Sequence, residues 1–255
     1  SGTRIGYHAA QRAMVRSHFE SKRTLVRGGR KMSKTFTLCD IILAAACTRP
    51  CIVLVVSSSW GNVKRQIFSG LRKGALRSTT PLPGRFLDTS VEFGPGHYIQ
   101  GISTKQPENA QGYHADTPVP EDPDGDISDE EALRLVQEAL EGAETSELHI
   151  FLDEAVGIAQ RIYESLEGAM QGPLVHVWVS CNPTIDSNAD HFAARLNREG
   201  SGFHRICLSH DLTIDDPDPA DERFSAPNWV ADPKWAAAAR KTHGADSPWY
   251  KAMVL

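Results

Sequence analysis

Three residues near the amino end have the types and spacing of a phosphate-binding loop. Gly28, Lys34 and Thr35 fit the pattern G-x4-G-K-[ST], and Ser33 stands where the pattern has its second glycine. In such loops backbone N–H groups and a helix N-terminus bind the phosphates, the lysine neutralises them and the hydroxyl ligates Mg²⁺. A basic turn before a helix is the alternative interpretation. The loop hypothesis predicts these nucleotide-binding residues: Arg27, Gly28, Gly29, Arg30, Lys31, Met32, Ser33, Lys34 and Thr35.

Two adjacent carboxylates form the second candidate for chemistry. Asp153 and Glu154 follow the apolar segment 148–152, 119 residues after Lys34. A strand that ends this way places both acids at the carboxyl edge of a sheet, where open α/β sheets bind ligands. Asp153 can then hold Mg²⁺ or its water shell, and Glu154 can deprotonate the water that attacks a γ-phosphate. Two solvated acids at a strand end are the alternative.

Two amide side chains complete the predicted site. Asn182 follows the apolar segment 174–180, and at the tip of a strand it can contact the γ-phosphate or its water. An Asn-Pro turn is the alternative there. Gln11 lies 17 residues before Gly28, where its amide can read the adenine edge of a nucleotide. A surface glutamine on a helix is the alternative for Gln11.

The elements that position these residues alternate between helices and strands, which predicts an α/β fold. The run 51–56 is apolar throughout, as in a central parallel strand that is covered on both faces by helices. Residues 78–96 are rich in turn-forming residues. Periodicity predicts helices at 7–20, 34–47, 62–73, 131–140 and 232–241, and strands at 51–56, 97–102, 148–152, 174–180 and 203–208.

Composition predicts one globular, water-soluble domain in a reducing compartment. The 255 residues are 40% hydrophobic and 23% charged, and no apolar run approaches the roughly 20 residues of a membrane span. The five cysteines are odd in number and lack CxxC pairs, which favours buried thiols over disulfides or cysteine-bound zinc.

Charge is distributed unevenly along the chain. Residues 1–85 hold 16 Lys/Arg against two Asp/Glu, so their net charge is +14, whereas the remainder carries −19. The basic part suits nucleotide phosphates, nucleic acid or an acidic face of another copy. Residues 116–131 hold eight Asp/Glu, three Pro and no Lys/Arg, which predicts an acidic insertion. We expect an ATPase core at 1–210 that contains this insertion, followed by an acidic and helical segment at 211–255.

With these features the sequence resembles the ATPase portion of the large terminase subunit, the DNA-packaging motor of tailed bacteriophages. Nearly the whole chain takes part in the resemblance. The motifs that carry it are at 27–35, 101–103 with 110–115, 150–155, 180–184 and 243–250.

The resemblance implies an additional-strand P-loop ATPase fold with a mainly parallel sheet and helices on both faces. It also implies roles for individual residues in ATP hydrolysis with Mg²⁺. Arg30 matches an arginine that contacts the γ-phosphate, and Lys34 and Thr35 match the nucleotide and Mg²⁺ ligands of the Walker A motif. Glu154 follows the metal-binding Asp153 of the Walker B motif as the catalytic base, and Asn182 falls in the coupling motif.

The implied partners are double-stranded DNA, the capsid portal protein and the small terminase subunit, with no membrane. The implied assembly is a homo-oligomeric ring in the host cytoplasm, bound transiently to the procapsid portal, with a monomer as the form in isolation. The family's nuclease domain follows its ATPase, and residues 211–255 match the lid or linker towards it. We therefore expect no nuclease activity from this chain. A helicase-like ATPase or a non-hydrolysing nucleotide-binding scaffold remain the alternative functions.

Overall fold

The computed structural model describes residues 6–29, 32–103, 128–142, 146–182, 191–213, 220–225 and 233–254. Helices and strands alternate through these ranges. The helices are α1 Ala9–Glu20, α2 Lys34–Thr48, α3 Ser69–Arg77, α4 Asp129–Gly142, α5 Gln160–Glu167, α6 Phe192–Leu196, α7 Pro233–His243 and α8 Pro248–Val254. The strands are β1 Arg23–Gly28, β2 Cys51–Ser57, β3 Arg85–Phe86, β4 Ser90–Gly94, β5 His97–Ser103, β6 Glu147–Asp153, β7 Val175–Cys181, β8 His204–Ser209 and β9 Glu222–Ser225.

The strands form a nine-stranded sheet in the order β3-β4-β5-β2-β6-β7-β1-β8-β9. The pairs β2/β5, β2/β6, β1/β8 and β8/β9 are parallel. The pairs β3/β4 and β4/β5 are antiparallel. The chain divides into two compact units, of which the first comprises Ser1–Thr37 with Trp178–Leu255 and the second comprises Leu38–Val177.

The second unit is built on β2 and β6. Each of these strands is buried along its full length, which requires cover on both faces. The helix α4 contacts β2 and β5, and so does the π-helical segment Asn62–Phe68 that precedes α3. Polar side chains in this part of the sheet therefore lie mainly at the ends of the strands.

The first unit is built on β1 and β8. The helix α1 contacts β1, β8 and β9, and α8 contacts β1. The Tyr250 side chain fixes α8, because its hydroxyl donates a hydrogen bond to Asp211 Oδ2 at 3.0 Å. Burial and the Asp211 carboxylate raise the pKa of Tyr250 to about 12.

The predicted fold class is confirmed, and several local predictions need correction. Residues 78–96 contain two strands besides turns, because β3 and β4 form antiparallel pairs at the sheet edge. The strand β9 was not predicted, and 129–131 of the predicted acidic insertion belong to α4. All five cysteines are free, but the Cys47 side chain is exposed rather than buried.

Some predictions fall outside the described residues. Arg30, Lys31 and 116–127 of the acidic insertion are among them. The division at residue 210 stays a prediction. None of the described helices combines the length and apolar character needed to cross a bilayer.

Candidate functional site

The predicted phosphate loop leaves the carboxyl end of β1 and leads into α2. Residues 24–28 of β1 are buried and pair in register with β8, so that Gly28 lies opposite Leu208. Lys34 is the first residue of α2. A loop between a buried strand and a helix N-terminus is the context that the G-x4-G-K-[ST] pattern requires.

The Lys34 side chain joins the loop to the end of β7. Its Nζ donates hydrogen bonds to Gly28 O at 2.6 Å, Gly29 O at 2.8 Å and Asn182 Oδ1 at 2.7 Å. An ammonium group has three protons, so these three acceptors match its donor capacity. The structure thus brings together Lys34 and Asn182, which are 148 residues apart in the chain.

Close backbone packing explains both glycines of the loop. A Cβ atom at Gly28 would lie 2.6 Å from Leu208 O, and one at Gly29 would lie 2.5 Å from Met253 O. Both distances are shorter than any van der Waals contact, so neither position accepts a side chain without a shift of the backbone.

Ser33 adopts the backbone conformation for which the loop pattern has glycine. Its φ angle is 61°, in the left-handed region that residues with a Cβ rarely enter. The Ser33 carbonyl accepts hydrogen bonds from the Thr37 N–H at 3.0 Å and the Thr37 hydroxyl at 2.9 Å. The first turn of α2 therefore holds Ser33 in this conformation.

The other predicted nucleotide-binding residues occupy different environments. Thr35 is half-buried in the first turn of α2, whereas Arg27 and Met32 are buried. Gln11 is only 2% exposed, and its Oε1 accepts a hydrogen bond from the His8 N–H at 3.2 Å at the start of α1. This contact gives Gln11 a structural role in α1, and its adenine contact stays a prediction.

In the second unit, Asp153 ends β6 beside two serines. Asp153 pairs in register with Ser57 of β2, which pairs in turn with Ser103 of β5. All three side chains are buried. Asp153 also contributes to the raised pKa of the Cys39 thiol, which reaches about 12 mainly because of burial. The carboxyl edge of this unit therefore offers one carboxylate and two hydroxyls, which are oxygen ligands of the kind that Mg²⁺ prefers.

Glu154 follows β6 in a strained backbone conformation. Its φ and ψ angles are 53° and 47°, which is left-handed and uncommon for a residue with a side chain. Such conformations persist where the surroundings enforce them, and they cluster at functional sites. Here the enforcing contacts come from the turn that follows β2.

Ser58 and Asn62 hold the Glu154 carboxylate in place. Ser58 Oγ donates to Glu154 Oε2 at 3.1 Å, and Asn62 Nδ2 donates to the same oxygen. Asn62 Oδ1 accepts from Gln66 Nε2 at 2.7 Å, which orients the Asn62 amide. Ser58 and Asn62 were not among the predicted site residues, although the serine run 57–59 directly after an apolar strand marks the same sheet edge.

Comparison with known proteins identifies the fold. The sequence matches no protein-family model and no curated protein sequence. The large terminase of a thermophilic bacteriophage, solved in complex with ADP, matches with a TM-score of 0.61 and 11% identity over 98% of this chain and 52% of that chain. The same terminase in complex with ATP-γ-S matches with a TM-score of 0.53 and 11% identity over 82% and 47%.

The ATPase domain alone of a second large terminase also matches. The Thermus phage P74-26 domain aligns with a TM-score of 0.53 and 13% identity over 98% of this chain and 93% of that chain. This chain therefore spans about half the length of the first terminase, and nearly the whole of the P74-26 domain. The fold is an α/β fold with a mostly parallel sheet. More closely, it is the fold of large terminase ATPase domains, as the sequence resemblance predicted.

The left-handed backbone at Ser33 predicts how substitutions there affect stability. We expect Ser33→Gly to change the free energy of unfolding by less than about 1 kcal/mol, because relief of strain is offset by the greater freedom of glycine in the unfolded chain. Ser33→Val should lower it by about 1–3 kcal/mol. Urea denaturation followed by circular dichroism measures both values.

Ser78 provides the matched control for this comparison. It is exposed and has φ −64° and ψ 136°, an extended conformation that suits valine. We expect Ser78→Val to lower the free energy of unfolding by at most about 0.5 kcal/mol, because it removes only an exposed hydrogen bond of 3.3 Å from the Thr80 N–H. A Ser33→Val variant as stable as the unmodified protein would contradict the assigned loop conformation.

Proposed function

We propose that this chain is the ATPase module of a viral DNA-packaging motor, which hydrolyses ATP with Mg²⁺ to move double-stranded DNA into a procapsid. The observation that carries the proposal is the Lys34 ammonium, which lies within a loop of the phosphate-binding pattern and bonds to Asn182. The fold likeness to large terminase ATPase domains supports the same proposal.

In the first unit, phosphate binding would change the partners of Lys34. A β- or γ-phosphate oxygen carries more negative charge than an amide or peptide oxygen, so it competes effectively for the ammonium protons. Arg30 and Lys34 would stabilise charge on the transferring phosphoryl group. Asn182 loses its Lys34 contact when the ammonium turns to the phosphate, which would report the nucleotide state to β7.

Mg²⁺ would neutralise charge on the β- and γ-phosphate oxygens when it is bound. In the first unit the Thr35 hydroxyl would be a ligand. In the second unit the Asp153 carboxylate would hold the ion or its water shell, and its position at the end of β6 suits that role. Both residues offer hard oxygen ligands.

Glu154 would act as the general base. It would take a proton from the water that attacks the γ-phosphate. The hydrogen bonds from Ser58 and Asn62 both reach Oε2, and they hold the carboxylate in place. Ser58 and Asn62 are therefore positioning residues for the same step.

Basic residues near the start of α3 are candidates for contact with DNA. Arg65 and Lys73 are exposed. By contrast, Arg72 donates to Leu87 O and lies 3.5 Å from Asp88, which ties it to the segment before β4. We propose that Arg65 and Lys73 bind phosphates of the DNA backbone.

The proposal extends to the assembled motor. A homo-oligomeric ring would bind the portal protein and the small terminase subunit in the host cytoplasm. Because each subunit of a ring adds contacts to one DNA, a monomer would bind DNA much more weakly than the ring does.

Lys34→Ala should abolish ATP hydrolysis. The substitution removes the ammonium group that would neutralise the β- and γ-phosphates. Phosphate release with Mg²⁺, measured with and without double-stranded DNA, tests this expectation. Lys241→Ala, which changes an exposed lysine of α7, is the control and should hydrolyse ATP normally. Failure of the unmodified protein to hydrolyse ATP would instead favour a nucleotide-binding scaffold.

Glu154→Gln should separate binding from chemistry. The amide keeps the length of the side chain but cannot accept the proton, so hydrolysis should fall by about 10²–10⁴-fold while ATP affinity remains. A fluorescent ATP analogue measures affinity, and phosphate release measures turnover. Glu164→Gln on α5, an exposed position, is the matched control. Normal turnover by Glu154→Gln would exclude Glu154 as the base.

DNA binding should weaken steeply as salt concentration rises, because protein–phosphate contacts release counterions. Replacing Arg65 and Lys73 together with alanine should reduce the slope of log affinity against log salt by about 2. Fluorescence anisotropy with a labelled duplex gives both quantities, and Lys241→Ala again serves as the control. Salt-independent affinity would contradict phosphate contacts, and unwinding of a forked duplex would point to a helicase.

A further inference from the structure

A second group of polar side chains lies at the opposite, amino end of the second unit's strands. Glu147 begins β6, His149 is two residues further along the same strand, and His176 is the second residue of β7. Residues i and i+2 of a strand face the same side of the sheet, so Glu147 and His149 share a face. Their side chains, and that of His176, are all at most 9% exposed.

The donor atoms of this group converge on one carboxylate oxygen. Glu147 Oε1 lies 2.9 Å from His176 Nε2 and 3.5 Å from His149 Nε2. The two imidazole rings are stacked, with centroids 4.7 Å apart and an interplanar angle of 16°. Both rings thus direct the same type of nitrogen at the same oxygen.

These separations come close to those in the first coordination shell of a zinc ion. Zinc binds histidine nitrogen and carboxylate oxygen at about 2.0–2.2 Å in tetrahedral geometry, which puts neighbouring ligand atoms about 3.3–3.5 Å apart. The separation of 3.5 Å between Glu147 and His149 lies in this range, whereas the 2.9 Å between Glu147 and His176 has to lengthen by about 0.5 Å. A ligand nitrogen of His149 lies within 4.8 Å of one of His176.

Arg49 forms an ion pair with Glu147, and metal-binding carboxylates are usually held by a partner of this kind. Its Nε lies 2.5 Å from Glu147 Oε2, so Oε1 remains directed at the histidines. Partners of this kind orient metal ligands and tune their affinity. The Arg49 side chain is 62% exposed, so solvent screens its charge.

We propose that Glu147, His149 and His176 bind one Zn²⁺ ion, with a water molecule or another donor in the fourth position. Two imidazoles and one carboxylate form a ligand set that zinc accepts. The ion would cross-link the amino ends of β6 and β7. It would therefore stabilise this part of the sheet independently of nucleotide binding.

Metal titration of the full chain tests this proposal. Protein that has been stripped with a chelator is titrated with Zn²⁺ by calorimetry and with Co²⁺ by visible absorption. We expect one ion per chain, a tetrahedral Co²⁺ spectrum and a higher thermal midpoint with Zn²⁺. Glu147→Gln and His176→Gln should each lose the ion. His204→Gln is the matched control, because His204 Nε2 also lies 2.9 Å from a carboxylate, that of Glu222, and this variant should keep it.

Two further measurements distinguish the site from misfolding and from the cysteines. Arg49→Gln changes an exposed side chain and leaves all three ligands in place, so we expect a folded protein whose zinc affinity falls about 10–100-fold. X-ray absorption of the zinc-loaded, unmodified protein should show nitrogen and oxygen ligands without sulfur. Sulfur ligation, no binding at all, or unchanged affinity in Arg49→Gln and His176→Gln would each overturn the proposal.

Discussion

Complete burial of β2 and β6 is the constraint on which the second unit depends. A strand that is covered on both faces excludes polar side chains from its middle unless each finds a partner, so its chemistry is concentrated at its ends. In β6 the carboxylates stand at the first and last positions, Glu147 and Asp153. Six residue-to-residue steps of extended chain separate them by about 20 Å. One strand can therefore contribute to two sites that do not interfere with each other.

In the first unit the corresponding constraint is the close contact between backbones. The glycines at 28 and 29 allow Leu208 and Met253 to approach the loop, and this approach fixes the carbonyl groups that accept from Lys34. The lysine is consequently positioned before any phosphate arrives. A site whose charged group is already oriented loses less conformational entropy when a ligand binds. Under the proposed function, phosphate would replace the contact with Asn182.

The predictable parts of this structure are those that follow from local patterns. Apolar runs located β2, β6 and β7, and the spacing of Gly28, Lys34 and Thr35 located the loop between β1 and α2. The contact between Lys34 and Asn182 joins residues 148 positions apart, and no local pattern encodes it. The strands β3, β4 and β9 were not predicted because they are short and lie at the sheet edges or, for β4, next to one, where alternation is weak. Ser58 and Asn62 were not predicted as site residues, because their contact with the Glu154 carboxylate depends on the left-handed turn at Glu154.

The π-helical segment from Asn62 to Phe68 has a consequence for comparisons among related chains. Its hydrogen bonds span five residues instead of four, so it contains more residues per turn than an α-helix of equal length. Loss of one residue would let the segment wind as an α-helix and would turn Asn62 by only about 30° relative to α3, since six α-helical residues rotate through nearly the same angle as seven π-helical ones. A relative that carries an ordinary α-helix here would therefore align only with a one-residue gap between 62 and 68. That gap would leave the amide at position 62 on the side of the helix that faces Glu154.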